Sequence, residues 1–347
     1  MKKTTRILFI LLCVVVMAFA LMGCSAGAPK YEPSDPSTFT ISVDSVTEKL
    51  EEFLSDDREE RTSYSDGERN AAAYLRDTLV GYGYTDDGTE ETGMIRRFTT
   101  KEQVTNNNGT TSTIERSSQN VVAVYEPSAL PGTHKNVIVG AYYDNRYSSL
   151  SGGNGTKSNG ALSNGTGVAA LLAISEYLQT EKPKLDFSVT MVFFGASAVN
   201  NVGVSKYYDQ MTAEEKTNTV LMIELQRLGV DHVYAYTDSR ETKRETFFDG
   251  VAEKSGLEIY KITQQSPAIS GITGGLNGIP YYQWAMNGTF AVFFNHNIPT
   301  LNLVGANWET FGLTDNESSD NDDIELTAHA TLENLQKLYP DYGEKIA

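Results

Sequence analysis

Residues 137–144 read VIVGAYYD, a short apolar run that ends in polar residues and decides the fold. Two runs of the same kind follow, FSVTMVFF at 187–194 and TVLMIEL at 219–225. Short, mostly apolar runs of this kind are typical of strands buried on both faces of a parallel sheet. Segments with helical spacing separate them, at Val168–Leu178 and near Gly203–Met211. The alternation predicts a three-layer α/β/α fold around a central mixed, mostly parallel sheet.

The segments on either side continue this alternation. Towards the N-terminus, apolar spacing predicts two helices and two strands, at 42–54, Asp66–Tyr82, Met94–Phe98 and Asn120–Tyr125. Towards the C-terminus it predicts two strands and two helices, at Val233–Tyr236, Thr300–Leu303, Thr242–Ser255 and Asp323–Tyr339. No internal repeat or second compositional block interrupts the pattern, so residues 41–347 are predicted to form one domain.

The carboxyl ends of the central strands are where ligands bind in such sheets. The candidate positions therefore lie just after Ala141, Phe194 and Leu225. The first of these ends leads into Asn145–Gly167, which is rich in Gly, Ser and Asn and is predicted to be a polar loop. The composition of this loop fits either a segment that folds over these strand ends or one that stays mobile.

The N-terminus has the organisation of a bacterial lipoprotein signal. A basic start is followed by an apolar run from Ile7 to Leu21, shorter than the roughly 20 residues that span a bilayer. The run ends in Leu21-Met22-Gly23-Cys24, which resembles a lipobox. Residues 1–23 are predicted to be a signal peptide and Cys24 the lipidated first residue of an exported protein. The alternatives are a plain secretory signal or an uncleaved anchor.

The amino-acid composition limits the kinds of partner that the protein is expected to bind. Residues 24–40 are small, polar and proline-containing, which is typical of a flexible tether to the membrane lipid. The whole chain has a net charge of −17, which makes nucleic acid an improbable partner because its binding depends on basic patches. The other cysteine, Cys13, leaves with the signal, so neither a disulfide nor a thiolate metal site is expected.

The motifs around the strands resemble those of the M28 zinc aminopeptidases. The resemblance runs from about Arg61 to the C-terminal helix, and seven segments carry it: RTS at 61–63, QNVVA at 119–123, VIVGAYYD at 137–144, GALSNGTGV at 160–168, GASA at 195–198, KYY at 206–208 and NIPT at 297–300. It implies the zinc-exopeptidase fold and, in an intact member, a two-zinc site that activates water.

The same resemblance places other residue types at the positions of the metal site. Side chains that differ from the family's zinc ligands and general base stand at Tyr142, Ser163, Ser197, Ala198, Gln226 and Asp315. Neutral hydroxyl and amide groups do not supply the negative charge that offsets two Zn²⁺ ions. Zinc is therefore expected from the family but its ligands are missing, and we expect no cofactor.

Two neighbouring positions keep the family's residue. The resemblance implies that Asp144 orients a histidine ligand, here replaced, and would be left with nothing to orient. It also implies that Asn164 shapes the turn into the following helix.

These observations favour a cell-surface lipoprotein with an M28-like domain that is catalytically inactive and binds a peptide, glycan or protein ligand. The alternative is an active hydrolase with an atypical metal site or other catalytic residues. A nucleophilic Ser197 would need the Gly-x-Ser-x-Gly turn, and its second glycine is absent. The acidic run 315–323 lacks the spacing of a calcium-binding EF-hand loop.

Overall fold

The computed structural model describes residues 41–55, 58, 60–88, 93–105, 109–127, 130, 132, 134–145, 159–198, 201–230, 232–237, 259–261, 289–306 and 331–347. The predicted signal peptide, lipidation site and tether lie outside these residues. So do the predicted helix at 242–255, Asp315, and most of the predicted loop after Asn145.

Eight strands form one sheet in the order β1-β2-β4-β3-β5-β8-β6-β7. Their bounds are β1 Ile95–Thr105, β2 Thr111–Tyr125, β3 Lys135–Tyr142, β4 Phe187–Phe194, β5 Thr219–Gln226, β6 His232–Thr237, β7 Ile259–Lys261 and β8 Thr300–Ala306. The four central strands, β4, β3, β5 and β8, run parallel to one another. Antiparallel pairs flank them, β1 with β2, β2 with β4, and β6 with β8. The predicted mixed, mostly parallel sheet is confirmed.

The helices lie on both faces of this sheet. Their bounds are α1 Val43–Phe53, α2 Asp66–Tyr82, α3 Thr166–Glu181, α4 Val202–Gln210, α5 Ala213–Asn218, α6 Phe290–Asn295, α7 Leu332–Leu338 and α8 Tyr342–Ile346. A single π-helical turn, Ala161–Gly165, leads directly into α3.

Alternation along the buried strands separates two apolar clusters. Val139 and Ile223 face a cluster that includes residues of α1, α2 and α3. Their neighbours Ile138 and Met222 face the opposite cluster, which includes residues of α4 and α6. Successive side chains of a strand point to opposite faces, so each strand contributes to both clusters. This arrangement confirms the three-layer α/β/α fold.

Local sequence signals explain where several helices begin and end. The side chain of Ser65 accepts a hydrogen bond from Glu68 N at the start of α2, and Gly83 ends that helix with a φ of 104°. Thr212 and Glu215 form a reciprocal capping box at α5. Such caps satisfy amide groups that the first helical turn leaves without partners.

Some predicted bounds are wrong. Strands β1 and β2 form a much longer hairpin than predicted, because their outer parts are polar Thr- and Ser-rich sequence without an apolar signal. The predicted loop 145–167 ends earlier, since the π turn begins at Ala161 and α3 at Thr166. The short helices α5, α6 and α8 were not predicted.

None of the helices within the described ranges is long and apolar enough to cross a membrane.

Candidate functional site

The carboxyl ends of β3, β4 and β5 meet at one edge of the sheet, as parallel pairing requires. Asp144 follows β3, Ser197 follows β4, and Gln226 is the last residue of β5. Three of the predicted positions therefore lie at the edge where α/β sheets bind ligands.

Asp144 is completely buried and lies at the centre of this edge. Its carboxylate accepts hydrogen bonds from Ser63 Oγ at 2.6 Å, Ser197 N at 2.9 Å and Ala198 N at 3.0 Å. Burial raises the pKa of Asp144, and these hydrogen bonds act in the opposite direction. The carboxylate holds the turn after β4, a role that the resemblance did not imply.

Ser197 is buried, and its hydroxyl is already hydrogen-bonded within the protein. Its Oγ donates to Gly195 O at 3.0 Å and accepts from Val204 N at 3.1 Å. The hydroxyl thus links the end of β4 to the first turn of α4. Its partners are backbone groups and not a general base that could activate it. The geometry therefore gives no support to a serine hydrolase with Ser197 as nucleophile. The neighbouring Ala198 offers only a methyl group.

Tyr142 lies in apolar surroundings. Its ring is 8% exposed and belongs to the cluster that also contains Phe194 and Phe290. The ring therefore occupies space on the sheet face where the resemblance places an imidazole ligand.

Asn164 ties the π turn to the end of β5. Its Nδ2 donates to Leu225 O at 2.8 Å, and its Oδ1 accepts from Arg227 N at 2.7 Å. These bonds fix the turn into α3, the role that the resemblance implies for Asn164. Of Ser163, which lies in the same turn, the structure describes only the backbone.

Gln226 is half-buried and points to the same face as Glu224. Asn302 Nδ2 lies 3.5 Å from Gln226 Oε1, at the outer limit of a hydrogen bond. Glu224 is completely buried and accepts hydrogen bonds from Thr289 Oγ1 and from Phe290 N, the latter at 2.9 Å. Burial raises the pKa of Glu224 to about 7.

A second buried carboxyl, Glu68, lies beside Asp144. It accepts hydrogen bonds from Tyr64 N at 2.5 Å, Ser118 Oγ at 2.7 Å and Ala196 N at 2.7 Å. Burial, followed by the nearby charge of Asp144, raises the pKa of Glu68 to about 8.

Arg61 is the buried cation of this region. Its guanidinium donates to Tyr143 O at 2.8 Å, Asn159 O at 2.5 Å and Gly160 O at 2.9 Å. Burial lowers its pKa to about 9, and the charge of Asp144 opposes that shift. Arg61 thereby holds the chain after β3 against the chain before the π turn.

The sequence contained a signal for Glu68 that was missed. Glu68 precedes Ala72, Leu75 and Leu79 at helical spacing, so it continues the buried stripe of α2. A carboxyl in an apolar stripe indicates a buried polar network. Glu224, inside an apolar strand, is a second such case.

The side chains that the structure describes at these positions do not fit a zinc centre. Zinc in proteins is held by thiolate, imidazole or carboxylate groups. The positions with described side chains supply a phenol, a committed hydroxyl, a methyl and an amide, at Tyr142, Ser197, Ala198 and Gln226. Within the described ranges no group of three or more His, Cys, Asp or Glu residues could hold a metal ion.

Solved structures with the same fold include bacterial enzymes. BSAP, a zinc aminopeptidase from Bacillus subtilis, matches with a TM-score of 0.60 at 14% identity, over 88% of this chain and 93% of that chain. An aminopeptidase from Aneurinibacillus sp. strain AM-1 matches with a TM-score of 0.56 at 13% identity, over 88% of this chain and 93% of that chain. A Bacteroides thetaiotaomicron glutaminyl cyclase bound to N-acetylhistamine matches with a TM-score of 0.53 at 14% identity, over 88% of this chain and 97% of that chain.

At these identities the structural matches show the fold alone. No curated protein sequence matches the chain. The model of Peptidase family M28 matches residues 120–338, which is more than half of the chain and includes β3, β4, β5 and the edge where they end. The chain therefore belongs to Peptidase family M28.

Proposed function

We propose that this protein is a non-catalytic M28-family member that works by binding a ligand in the former metal cleft. The proposal rests on the identity and the hydrogen bonds of Ser197 and Ala198. The resemblance places the family's adjacent carboxylates there, one as general base and one as ligand. Here both backbone amides of the pair donate to Asp144, and the Ser197 hydroxyl is bonded to Gly195 O and Val204 N.

The carboxylates that remain nearby support the same proposal. Asp144 and Glu68 are both buried, and each accepts three hydrogen bonds from protein donors. Turning either towards a metal ion would leave buried donors without partners, at about 1–3 kcal/mol each. Their hydrogen bonds hold the local fold and leave no free ligand for zinc.

The ligand that we propose for this cleft is a peptide, a glycan or a protein. A polar group is present for such a ligand in β8, beside the last residues of β5. Asn302 is 1% exposed, and its Oδ1 has no hydrogen-bond partner. A buried polar atom of this kind is expected to be satisfied by a bound group.

We also propose that the protein is anchored outside the cytoplasm by lipid on Cys24. The support is the Leu21-Met22-Gly23-Cys24 sequence after the apolar run. A Cys24→Ser variant should lose the lipid and leave the membrane fraction, which metabolic labelling with a fatty acid and cell fractionation would measure. If the variant stays in the membrane at wild-type level, the apolar run acts as an uncleaved anchor instead.

Hydrolysis assays test the inactive state directly. The mature protein would be incubated with a panel of aminoacyl-p-nitroanilides, with and without added Zn²⁺, beside a zinc aminopeptidase of the family as positive control. We expect no turnover above a boiled sample in either condition. Zinc-dependent turnover that a chelator abolishes would establish the alternative, an active hydrolase with an atypical metal site.

A further inference from the structure

A cavity lies at the end of the sheet opposite to the carboxyl ends of β3, β4 and β5. It has a volume of about 420 Å³ and is lined by the end of β2, the end of α2 and the end of α3. Tyr125 in its wall pairs with Val189 near the start of β4, whereas the cleft follows Phe194 at the end of β4. The volume is within the range of about 300–1,000 Å³ that is typical of ligand pockets.

One wall of the cavity is an open strand edge. Strand β1 begins at Ile95, opposite Val121, whereas β2 continues to Tyr125. Val122 N donates to Met94 O, so its amide faces the side of β1. In an antiparallel ladder the residue two positions further on faces the same side. The N–H and C=O of Val124 therefore point past the start of β1, where no residue in the described ranges pairs with them.

The side chain at this edge is apolar and exposed. Val124 is 41% exposed, one of the two large apolar side chains of the described residues that reach this level of exposure. Met94 and Val122 are buried beside it in the same cavity wall. An open edge with an exposed apolar residue is a template for strand addition.

The charges around the cavity favour an anionic group. Among the described residues that line it, Arg96 and Lys182 are joined by one acidic residue, Glu126, in a chain whose net charge is −17. Across the described part of the chain, neither Arg96 nor Lys182 forms an ion pair. The Arg96 guanidinium lies 5.8 Å from the centre of the Tyr207 ring, and its Nε is buried without a hydrogen-bond partner. A guanidinium binds carboxylate and phosphate groups through paired hydrogen bonds, and a carboxylate is the one of these that an unmodified peptide carries.

We propose that this cavity binds an extended acidic peptide segment, which adds as a strand to the β2 edge at Val124 and places a carboxylate against Arg96 and Lys182. The main-chain bonds supply affinity and the two cations select the acidic side chain. A small anion would use the cations but not the strand edge. This site is separate from the cleft of the proposed function, and neither depends on the other.

Calorimetric titration of the full mature protein with three matched peptides tests the proposal. The probe is the acetylated, amidated hexapeptide Thr-Val-Glu-Val-Glu-Thr. One control replaces both Glu residues by Gln, and the other carries N-methyl groups on the central residues. We expect saturable binding of the probe that weakens with salt. Each control should bind about tenfold more weakly, because it loses a charge-assisted or a main-chain hydrogen bond.

Protein variants locate the binding. Arg96→Gln and Lys182→Asn should each weaken the acidic probe several-fold and leave the Gln peptide unchanged. Asn is chosen because Lys182 has a φ of 46° at the end of α3, which Asn tolerates. Lys101→Gln on the exposed part of β1 removes the same charge away from the cavity and should change nothing. Circular dichroism confirms that each variant is folded.

Any one of three results would overturn the proposal. The first is the absence of saturable binding of the acidic probe to the folded wild-type protein. The second is equal affinity for all three peptides, and the third is an acidic-probe affinity that Arg96→Gln and Lys182→Asn leave unchanged.

Discussion

At the scale of single residues, Asp144 has a structural role that does not depend on a metal ion. Its two backbone donors belong to Ser197 and Ala198, the residues at the positions of the family's carboxylate pair. The carboxylate has become part of the local structure of the chain. Its replacement should therefore affect stability.

Asp144→Asn tests that role. The amide keeps the size of the side chain but turns one acceptor into a donor that faces N–H and O–H groups. We expect a loss of about 2–4 kcal/mol in the free energy of unfolding, measured with urea. Asp77→Asn is the matched control, because the Asp77 side chain is 68% exposed, and should cost less than about 0.5 kcal/mol. Equal unfolding midpoints for the two variants would contradict the structural role.

Glu68 makes stability depend on pH. Burial raises its pKa from 4.5 to about 8, so between these values the folded state binds a proton that the unfolded state does not. The contribution of Glu68 to the free energy of unfolding should therefore be highest near and below pH 4.5. This contribution should fall as the pH rises towards 8. The loss is on the order of a few kcal/mol.

Urea unfolding at several pH values between 5 and 8 would measure this slope. Glu68→Gln cannot ionise and should flatten it. Some slope should remain, because Glu224, with a pKa raised to about 7, acts in the same direction. The control Glu48→Gln, on the exposed face of α1, should keep the wild-type slope. An unchanged slope in Glu68→Gln would show that Glu68 does not carry the proton.

Single residues also show what could be predicted from the sequence. The motifs identified Asp144 and Asn164 as retained positions, and the structure gives both a hydrogen-bonding role. Burial of Arg61, Glu68 and Glu224 was not predicted, because it depends on donors distant in sequence. Glu68, for example, accepts from Ser118, which is 50 residues away.

At the scale of elements, α4 packs so closely against the turn after β4 that there is no space for an added side chain. A Cβ added to Gly203 would lie 1.8 Å from Gly195 O, so α4 rests directly on that turn. Only a residue without a side chain allows this approach. Gly81, in α2, has open space at the same position.

Gly203→Ala and Gly81→Ala form a matched pair of helical substitutions. We expect Gly203→Ala to lose about 3 kcal/mol or more, because the helix must move away from the turn. We expect Gly81→Ala to gain about 0.5–1 kcal/mol, since alanine lowers the entropy of the unfolded chain. Thermal and urea unfolding would compare them. A Gly203→Ala variant as stable as wild type would contradict the packing.

Element prediction succeeded where the apolar pattern was strong. The strands 137–142, 187–194 and 219–225 were predicted closely, because burial on both faces leaves nearly continuous apolar runs. The long β1–β2 hairpin was underestimated, since Thr and Ser alternate there with charged residues and no apolar face exists. The six-residue helices α5 and α6 are too short to show a helical period.

At the scale of the whole molecule, α1 sets the direction in which the N-terminal segment enters. Leu50 and Leu54 lie next to Gly165 at the start of α3, whereas Lys49 pairs with Glu176 near its end, at 2.7 Å. Helix α1 therefore runs antiparallel to α3 and begins on the side away from the cleft. With lipid on Cys24, the cleft should face away from the membrane.

Energy transfer to a membrane dye would measure this orientation in vesicles. Residues 25–347 contain no cysteine, so Asp44→Cys at the start of α1 and Glu60→Cys near the cleft can each carry a single label in that part of the chain. We expect stronger transfer from position 44 than from position 60, because position 44 is closer to the tether. Stronger transfer from position 60 would show that the cleft faces the membrane.

The amount of zinc that the protein retains shows whether the edge formed by β3, β4 and β5 still holds a metal ion. The mature protein would be incubated with Zn²⁺, desalted and analysed for bound metal, beside a zinc aminopeptidase of the family treated in the same way. We predict fewer than about 0.1 zinc ions per chain, because hydroxyl, amide and methyl groups replace the ligands. One or two tightly held ions per chain would contradict this prediction and establish a working metal centre.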